Sequence, residues 1–87
     1  MAPRARGMLK SVHSAEQLAF WQLMIEARKK AGLTQQELAR RLKKPQSFIV
    51  KYEGGERRID VLEFLTIARA VGAEPTRLLK ALIRRMI

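Results

Sequence analysis

Apolar residues recur along this chain at the three- and four-residue spacing that is typical of amphipathic helices packed around a shared core. Ser14 and Gln17 form a capping pair, so we predict that a first helix begins after Ser14 and ends at about Ala31. Gly32 then stops this helix. The residues of the first helix expected to face inward are Leu18, Phe20 or Trp21, Ile25 and Ala27.

Two shorter helices follow, separated by a tight turn. Thr34 and Glu37 have the spacing of a capping box, which places the start of the second helix at about Gln35. A break at residues 43–45 separates it from a third helix, and helices this short depend on mutual packing for their stability. The positions expected to face inward are Leu38, Ala39 and Leu42 in the second helix, and Ile49 and Tyr52 in the third.

The C-terminal part of the sequence predicts two further helices. A pair of glycines ends the third helix, and Asp60 caps a fourth helix over residues 61–71. Pro75 suits the first turn of a fifth helix, which runs to about Met86. The positions of the fourth helix expected to face inward are Val61, Phe64, Leu65, Ile67, Ala68 and Val71.

The fifth helix carries two adjoining apolar stripes, one of Leu78, Leu82 and Met86 and the other of Leu79, Ile83 and Ile87. One stripe can face the domain, but the other needs a partner, because monomers rarely expose a contiguous apolar patch. We therefore predict that Leu79, Ile83 and Ile87 form a homodimer contact. The alternative is that all six side chains lie in the core of a monomer.

The segment from Ala31 to Gln35 and the inward positions of the second and third helices together match a known motif in residue type and spacing. Over roughly residues 23–82 the chain resembles the Cro/repressor (XRE) family of helix-turn-helix proteins. The resemblance implies a repressor-like DNA-binding domain whose helix-turn-helix consists of helices 2 and 3. It also implies a structural ion pair between Arg28 and Glu53, which occupy the two places where this family forms an arginine–glutamate pair.

The turn of the motif departs from the family pattern at two positions. Lys43 stands where glycine is usual, and Lys44 stands where an apolar residue is usual. A left-handed conformation at Lys43 costs about 1 kcal/mol relative to glycine. Pro45 favours an extended Lys44 and presets the first dihedral angle of the next helix, so the segment still predicts a tight turn.

The patterns and the resemblance together predict an all-α fold, a compact five-helix repressor-like domain over residues 13–87. We predict that residues 1–12 form a flexible basic N-terminal arm, which carries Arg4, Arg6 and Lys10. The arm is either a solvated tail or a segment that reaches along DNA phosphates or into a minor groove.

The outward face of the third helix is the predicted reading surface. Glutamine can pair with adenine through a donor and an acceptor, serine with several bases, lysine with guanine, and valine with a thymine methyl group. The predicted base-contacting residues are Gln46, Ser47, Val50 and Lys51. The predicted phosphate-contacting residues are Gln35, Lys43, Lys44, Arg57 and Arg58. The family resemblance further implies that Gln35 braces Gln46, whereas the alternative for each of these residues is a hydrated surface position.

The composition narrows the range of functions. Lys and Arg number 18 against 8 Asp and Glu, and the resulting charge of +10 indicates a polyanionic partner, with nucleic acid as the first candidate. The chain has no cysteine, and His13 is its single histidine. We therefore predict no metal site, no cofactor and no enzyme activity. No apolar run approaches the ~20 residues that span a bilayer, and no sensor segment implies a small-molecule ligand. We expect a soluble, cytoplasmic protein.

The leading functional prediction is a sequence-specific regulator of transcription that binds double-stranded DNA. It is expected to be a repressor that binds an inverted-repeat operator as a homodimer. The alternative is the antitoxin of a toxin–antitoxin pair, which would bind a protein toxin through its apolar surface and also bind its own promoter. RNA is a further alternative, although the chain lacks the interleaved aromatic residues that stack on single strands.

Overall fold

The computed structural model describes residues 14–86, which form five α-helices and no strand. The helices are α1 (Ala15–Lys30), α2 (Gln35–Leu42), α3 (Gln46–Glu53), α4 (Val61–Ala70) and α5 (Pro75–Met86). The predicted all-α fold with a helix-turn-helix at α2 and α3 is confirmed. The predicted arm over residues 1–12, together with His13 and Ile87, lies outside the described residues. Within the described part of the chain, no helix has the length and apolar character needed to cross a membrane.

Reciprocal side-chain caps set the starts of α2 and α4. The Thr34 hydroxyl accepts from the backbone N–H of Glu37 at 3.0 Å, and the Glu37 carboxylate accepts from the Thr34 N–H at 2.8 Å. Asp60 and Glu63 form the same box, with distances of 2.7 and 3.0 Å. The backbone hydrogen bond from Thr34 is the largest of the effects that lower the pKa of Glu37 below its ordinary value. Both predicted helix starts therefore rest on observed hydrogen bonds.

The core forms where the helices meet. α1 packs against α5 and α3, α2 packs against α3 and α4, and α4 also packs against α5. Leu38, Ile49 and Tyr52, which were predicted to face inward, are fully buried at 0% exposure. Three buried side chains that the sequence pattern did not single out are Leu23, Met24 and Phe48.

Two predicted inward positions are wrong, and one residue of the first α5 stripe is also exposed. Leu18 is 46% exposed, because Phe20, which does pack on the core, lies almost directly across α1 from it at 100° per residue. Val61 is 71% exposed, because it is the first residue of α4 and helical side chains point back toward the N-terminus, here into solvent. Met86 is 46% exposed in the last turn of α5, beyond the half-buried Leu82.

The loop after α3 is fixed against α1 by a close backbone approach. Gly55 has a φ of +81°, a left-handed value that favours glycine, and a Cβ placed there would lie 2.9 Å from the Trp21 ring. Trp21 is 2% exposed, so it belongs to the core, as the sequence suggested. A side chain at residue 55 would therefore push the loop away from the tryptophan.

A buried, bidentate ion pair joins α1 to α3. Arg28 Nε donates to Glu53 Oε2 at 2.7 Å and Arg28 Nη2 donates to Glu53 Oε1 at 3.0 Å. The remaining nitrogen, Nη1, donates to the backbone carbonyl of Leu33 at 2.8 Å. The two side chains are only 10% and 5% exposed, and the hydrogen bond to Glu53 is the main effect that raises the pKa of Arg28. Arg28 and Glu53 thus occupy the paired arrangement that the family resemblance implied.

Replacing Arg28 by alanine is expected to lower the free energy of unfolding by about 3–5 kcal/mol, because it leaves the Glu53 carboxylate buried without its cation. Arg85→Ala is the matched control, since Arg85 Nη2 pairs with Glu26 at 2.6 Å on the surface, where side-chain exposures are 33% and 59%. That change is expected to cost at most about 1 kcal/mol. Chemical denaturation of both variants measures the two costs, and equal losses would contradict a special role for the buried pair.

Candidate nucleic-acid interface

The four predicted base-contacting residues share the outward face of α3. Gln46, Ser47, Val50 and Lys51 are all exposed, with Val50 at 41%. Ile49 and Tyr52 point the opposite way into the core, so the spacing of one helical face explains why the outward set is available. Gln46 and Ser47 are the first two residues of the helix, and no part of the described chain covers them. The Gln46 carboxamide and the Ser47 hydroxyl therefore form an open polar surface at the start of α3, which we call the α3 ridge.

The turn before α3 contains the strained residue that the sequence suggested. Lys43 has φ 57° and ψ 42°, the left-handed conformation, and it ends α2. Its backbone N–H donates to Arg40, and the Lys44 N–H donates to the Ala39 carbonyl at 3.0 Å. Pro45 is extended, with φ −66° and ψ 152°, and it precedes the first residue of α3. The turn is therefore tight, and it leaves the two lysine side chains exposed.

Gln35 is held at the start of α2 by the buried ion pair. Its Nε2 donates to Glu53 Oε1 at 2.9 Å, and its side chain is half-buried. The brace to Gln46 that the family resemblance implied is therefore not what this structure shows, since the Gln35 amide donates to Glu53 at the far end of α3. The cause is that Glu53 Oε1, already facing Arg28, is the charged acceptor within reach.

Arg57 lies beside the start of α3 and has three neighbours. Its guanidinium carbon is 4.7 Å from the centroid of the Phe48 ring, and Lys44 Nζ is 5.5 Å from the same centroid. Nη1 and Nη2 donate to the two carboxylate oxygens of Glu63 at 3.1 and 2.8 Å, and Nη1 also donates to the Arg58 carbonyl. The hydrogen bond from Arg57 is the largest effect that lowers the pKa of Glu63.

Arg57 and Arg58, in the loop between α3 and α4, have different surroundings. Arg57 contacts Phe48 in α3, whereas Arg58 borders a groove of about 380 Å³ lined by residues of α1 and α5, among them Gln17, Phe20 and Leu82. Arg57 therefore shares the Phe48 ring with Lys44, whereas Arg58 faces the groove between α1 and α5. The roles of Phe48 and Glu63 were missed by sequence reasoning, since no local pattern links either residue to Arg57.

The predicted dimer residues lie on the surface of α5. Leu79 is 43% and Ile83 is 55% exposed, while Leu78 and Leu82 are half-buried against the rest of the domain. The alternative in which all of these side chains lie in a monomer core is therefore wrong for Leu79 and Ile83. Met86, at 46% exposure, continues the same surface, and we call Leu79, Ile83 and Met86 the α5 stripe.

The described residues contain no group of three or more His, Cys, Asp or Glu side chains arranged to hold a metal ion. The exposed groups of this surface are amides, a hydroxyl and cations, which are groups that bind bases and phosphates by hydrogen bonds and charge.

Comparisons with known proteins agree with this geometry. A helix-turn-helix family model matches residues 24–78. The structure of an XRE-family like protein from Pseudomonas syringae pv. tomato is 45% identical, covers 92% of this chain and 98% of its own, and superposes with a TM-score of 0.81. The restriction-modification controller protein C.AhdI from Aeromonas hydrophila is 31% identical over 75% of this chain and 98% of its own, with a TM-score of 0.67.

A more distant structure shares the fold alone. The clp gene regulator ClgR from C. glutamicum is 19% identical, covers 86% of this chain and 97% of its own, and has a TM-score of 0.74. A comparison with curated protein sequences gives no significant match.

Lys43→Gly is expected to be more stable than Lys43→Ala by about 1 kcal/mol, because glycine adopts the left-handed conformation of residue 43 without a Cβ clash. Both variants lose the same charge, so the alanine variant controls for electrostatics. Thermal and urea unfolding of the pair measure the difference. An alanine variant as stable as the glycine variant would show that the turn is not strained at this residue.

Proposed function

The chain belongs to the XRE family of helix-turn-helix DNA-binding transcription regulators, and from this premise we propose that it is a repressor that binds an inverted-repeat operator as a homodimer. Members of this family act by binding DNA and not by catalysis. Repression would follow from steric occupancy of a promoter. The proposal places the protein in the cytoplasm, together with the DNA that it regulates.

The α3 ridge is the observation that carries the proposal. Gln46 and Ser47 begin a short helix whose opposite face is fully buried, so the helix is rigidly placed while its first turn stays open. A helix of this kind fits the major groove, where an amide side chain can bond both N6 and N7 of adenine. Val50 and Lys51, one turn further on, extend the same face toward the neighbouring bases or phosphates.

Three cations and one amide side chain around the α3 ridge supply the proposed phosphate contacts. Lys43 and Lys44 lie in the turn before α3, Arg57 lies beside Phe48, and Gln35 begins α2, whose N-terminal dipole favours an anion. Arg58 remains an outer member of the set, because it borders α1 and α5. Phosphate contacts by these groups are consistent with a net charge of +10. Such contacts position a protein on the duplex without reading its sequence.

The α5 stripe supports the proposed homodimer. Leu79, Ile83 and Met86 are spaced by four and three residues, so their exposed side chains follow one line along the helix. A second copy of the chain can cover this line symmetrically, because a twofold axis brings the same patch of each subunit together. Such a dimer presents two reading helices about one turn of B-DNA apart, which requires an inverted-repeat operator.

Selection of the purified protein on a random duplex library is expected to enrich an inverted repeat, and Gln46→Ala should then weaken binding to that duplex by about 1–3 kcal/mol. The reason is the loss of paired hydrogen bonds to a base. Fluorescence anisotropy on the enriched and on a scrambled duplex measures the effect. Gln22→Ala, an exposed glutamine of α1, is the matched control and should leave both affinities unchanged.

Equal losses of affinity on the two duplexes would contradict base contact by Gln46. The same titrations at two salt concentrations test the electrostatic part of the proposal. About six phosphate contacts predict a loss of roughly a thousandfold in affinity between ~50 and ~200 mM salt, and a flat response would contradict it.

Ile83→Glu is expected to convert a dimer into a monomer, because a carboxylate at the centre of the α5 stripe would be buried against its twin. Leu62→Glu is the matched control, since Leu62 is 73% exposed but lies on α4. Sedimentation at micromolar concentration measures the mass of each. A wild-type monomer throughout this range would overturn the homodimer and leave the stripe free for a protein partner, such as the toxin of the alternative function.

A further inference from the structure

The Arg57 guanidinium is held on one edge and on one face. Nη1 and Nη2 form its end-on edge, and both donate to Glu63, while the second hydrogen of Nη1 points to the Arg58 carbonyl at 2.9 Å. The Phe48 ring lies 4.7 Å from the guanidinium carbon and supports its face. Phe48 is itself 9% exposed, so the supporting ring is fixed in the core. Few rotations of the arginine remain compatible with these contacts.

The side-on edge of Arg57 has no partner among the described residues. This edge consists of Nε–H and the second hydrogen of Nη2, two nearly parallel donors with the spacing of two oxygens of one carboxylate or phosphate. The side chain is 41% exposed, so an external anion can reach it. The same edge of Arg28 already binds two oxygens in this protein, with Nε and Nη2 at 2.7 and 3.0 Å from Glu53.

The position of this edge relates it to the α3 ridge. Phe48 is the third residue of α3, and the lysine of the preceding turn, Lys44, lies over the same ring with Nζ at 5.5 Å from the centroid. The aromatic ring therefore gathers two cations beside the first turn of the reading helix. The Glu63 carboxylate offsets one of the positive charges of Arg57 and Lys44. The cluster therefore stays positive, and the side-on edge of Arg57 can still bind two oxygens of an anion.

We propose that Glu63 and Phe48 are positioning residues that set the Arg57 guanidinium as a clamp for one DNA phosphate beside the first turn of α3. The inference rests on the proposed function and adds to it an acidic residue that favours the binding of a polyanion. An unrestrained arginine loses side-chain freedom when it binds a phosphate, whereas Arg57 has already lost it in the free protein.

Glu63 has two opposite effects on the affinity for DNA, so the direction of the change in Glu63→Gln shows which effect is larger. The carboxylate repels DNA, so removing its charge alone would strengthen binding. The positioning role predicts the reverse, because the carboxamide of Glu63→Gln can still accept the Asp60 N–H but cannot hold both guanidinium nitrogens. Glu56→Gln removes an equal charge from the same loop, and the Glu56 side chain forms no hydrogen bond or ion pair with Arg57, so it is the matched control.

The experiment measures the affinity of the full chain for a labelled random-sequence duplex over a range of salt. Glu63→Gln is expected to bind about two- to fivefold more weakly than Glu56→Gln, the range that an exposed charge pair contributes. Arg57→Ala should lower the slope of log affinity against log salt by about one. In the Arg57→Ala background, the difference between the two glutamine variants should disappear, since Glu63 then has no clamp to position.

A second readout reports the guanidinium directly. In the free protein, 15N relaxation of the Arg57 Nε–H group is expected to show restricted motion in the wild type and in Glu56→Gln, and greater motion in Glu63→Gln. A merely structural role of Glu63 in the α4 cap would lower the melting temperature without changing this signal.

Tighter binding by Glu63→Gln than by Glu56→Gln, or an equal difference with and without Arg57, would overturn the clamp while leaving the proposed function intact. A wild-type chain that binds no duplex at any salt would overturn the proposed function and the clamp together. The wild-type titration therefore separates the two failures.

Discussion

The buried contact between Arg28 and Glu53 is the constraint on which the arrangement of α3 depends. Through Arg28 it reaches α1 and the Leu33 carbonyl, and through Glu53 it reaches Gln35 at the start of α2. α2 and α3 have eight residues each, a length that is not stable in isolation. Burying two charges costs about as much as their attraction returns, so the pair adds little net stability, while its hydrogen bonds join α1, α2 and α3 to one another.

This geometry anchors α3 at one end and leaves it open at the other. Glu53 closes the helix inside the ion-pair network, and Tyr52 beside it packs edge-on against Phe48 with ring centroids 5.4 Å apart. At the opposite end, Pro45 and the left-handed Lys43 fix the direction of entry without covering Gln46. A rigid body with one exposed turn is what a base-reading element requires, because loosely held side chains lose discrimination between bases.

The sequence predicted the parts of this fold that local chemistry controls, and it failed where distant residues decide. The capping box at Thr34 and the left-handed turn follow from short-range hydrogen bonds and sterics, so a few adjacent residues suffice to predict them. The apolar periodicity correctly predicted the buried face of α3 but wrongly placed Leu18 and Val61 in the core. The period of a helix shows which of its faces is apolar, but it does not show how far along that face the neighbouring helices reach. The contacts of Arg57 with Phe48 and Glu63 cross a loop, and no spacing encodes them.

The proposed DNA-binding surface and the proposed dimer surface lie on different helices, and charge couples their proposed roles. α5 packs on α1 and α4, whereas α3 packs on α1 and α2, so the α5 stripe and the α3 ridge are carried by different helices. Each chain carries a net charge of +10, so a dimer brings two such charges together and repels itself over distances up to the Debye length. In the proposed complex, a duplex would neutralise that repulsion while it binds both copies of α3. The proposal therefore implies that DNA favours the dimer through charge as well as through symmetry, so the proposed dimer should be tighter on DNA than in free solution.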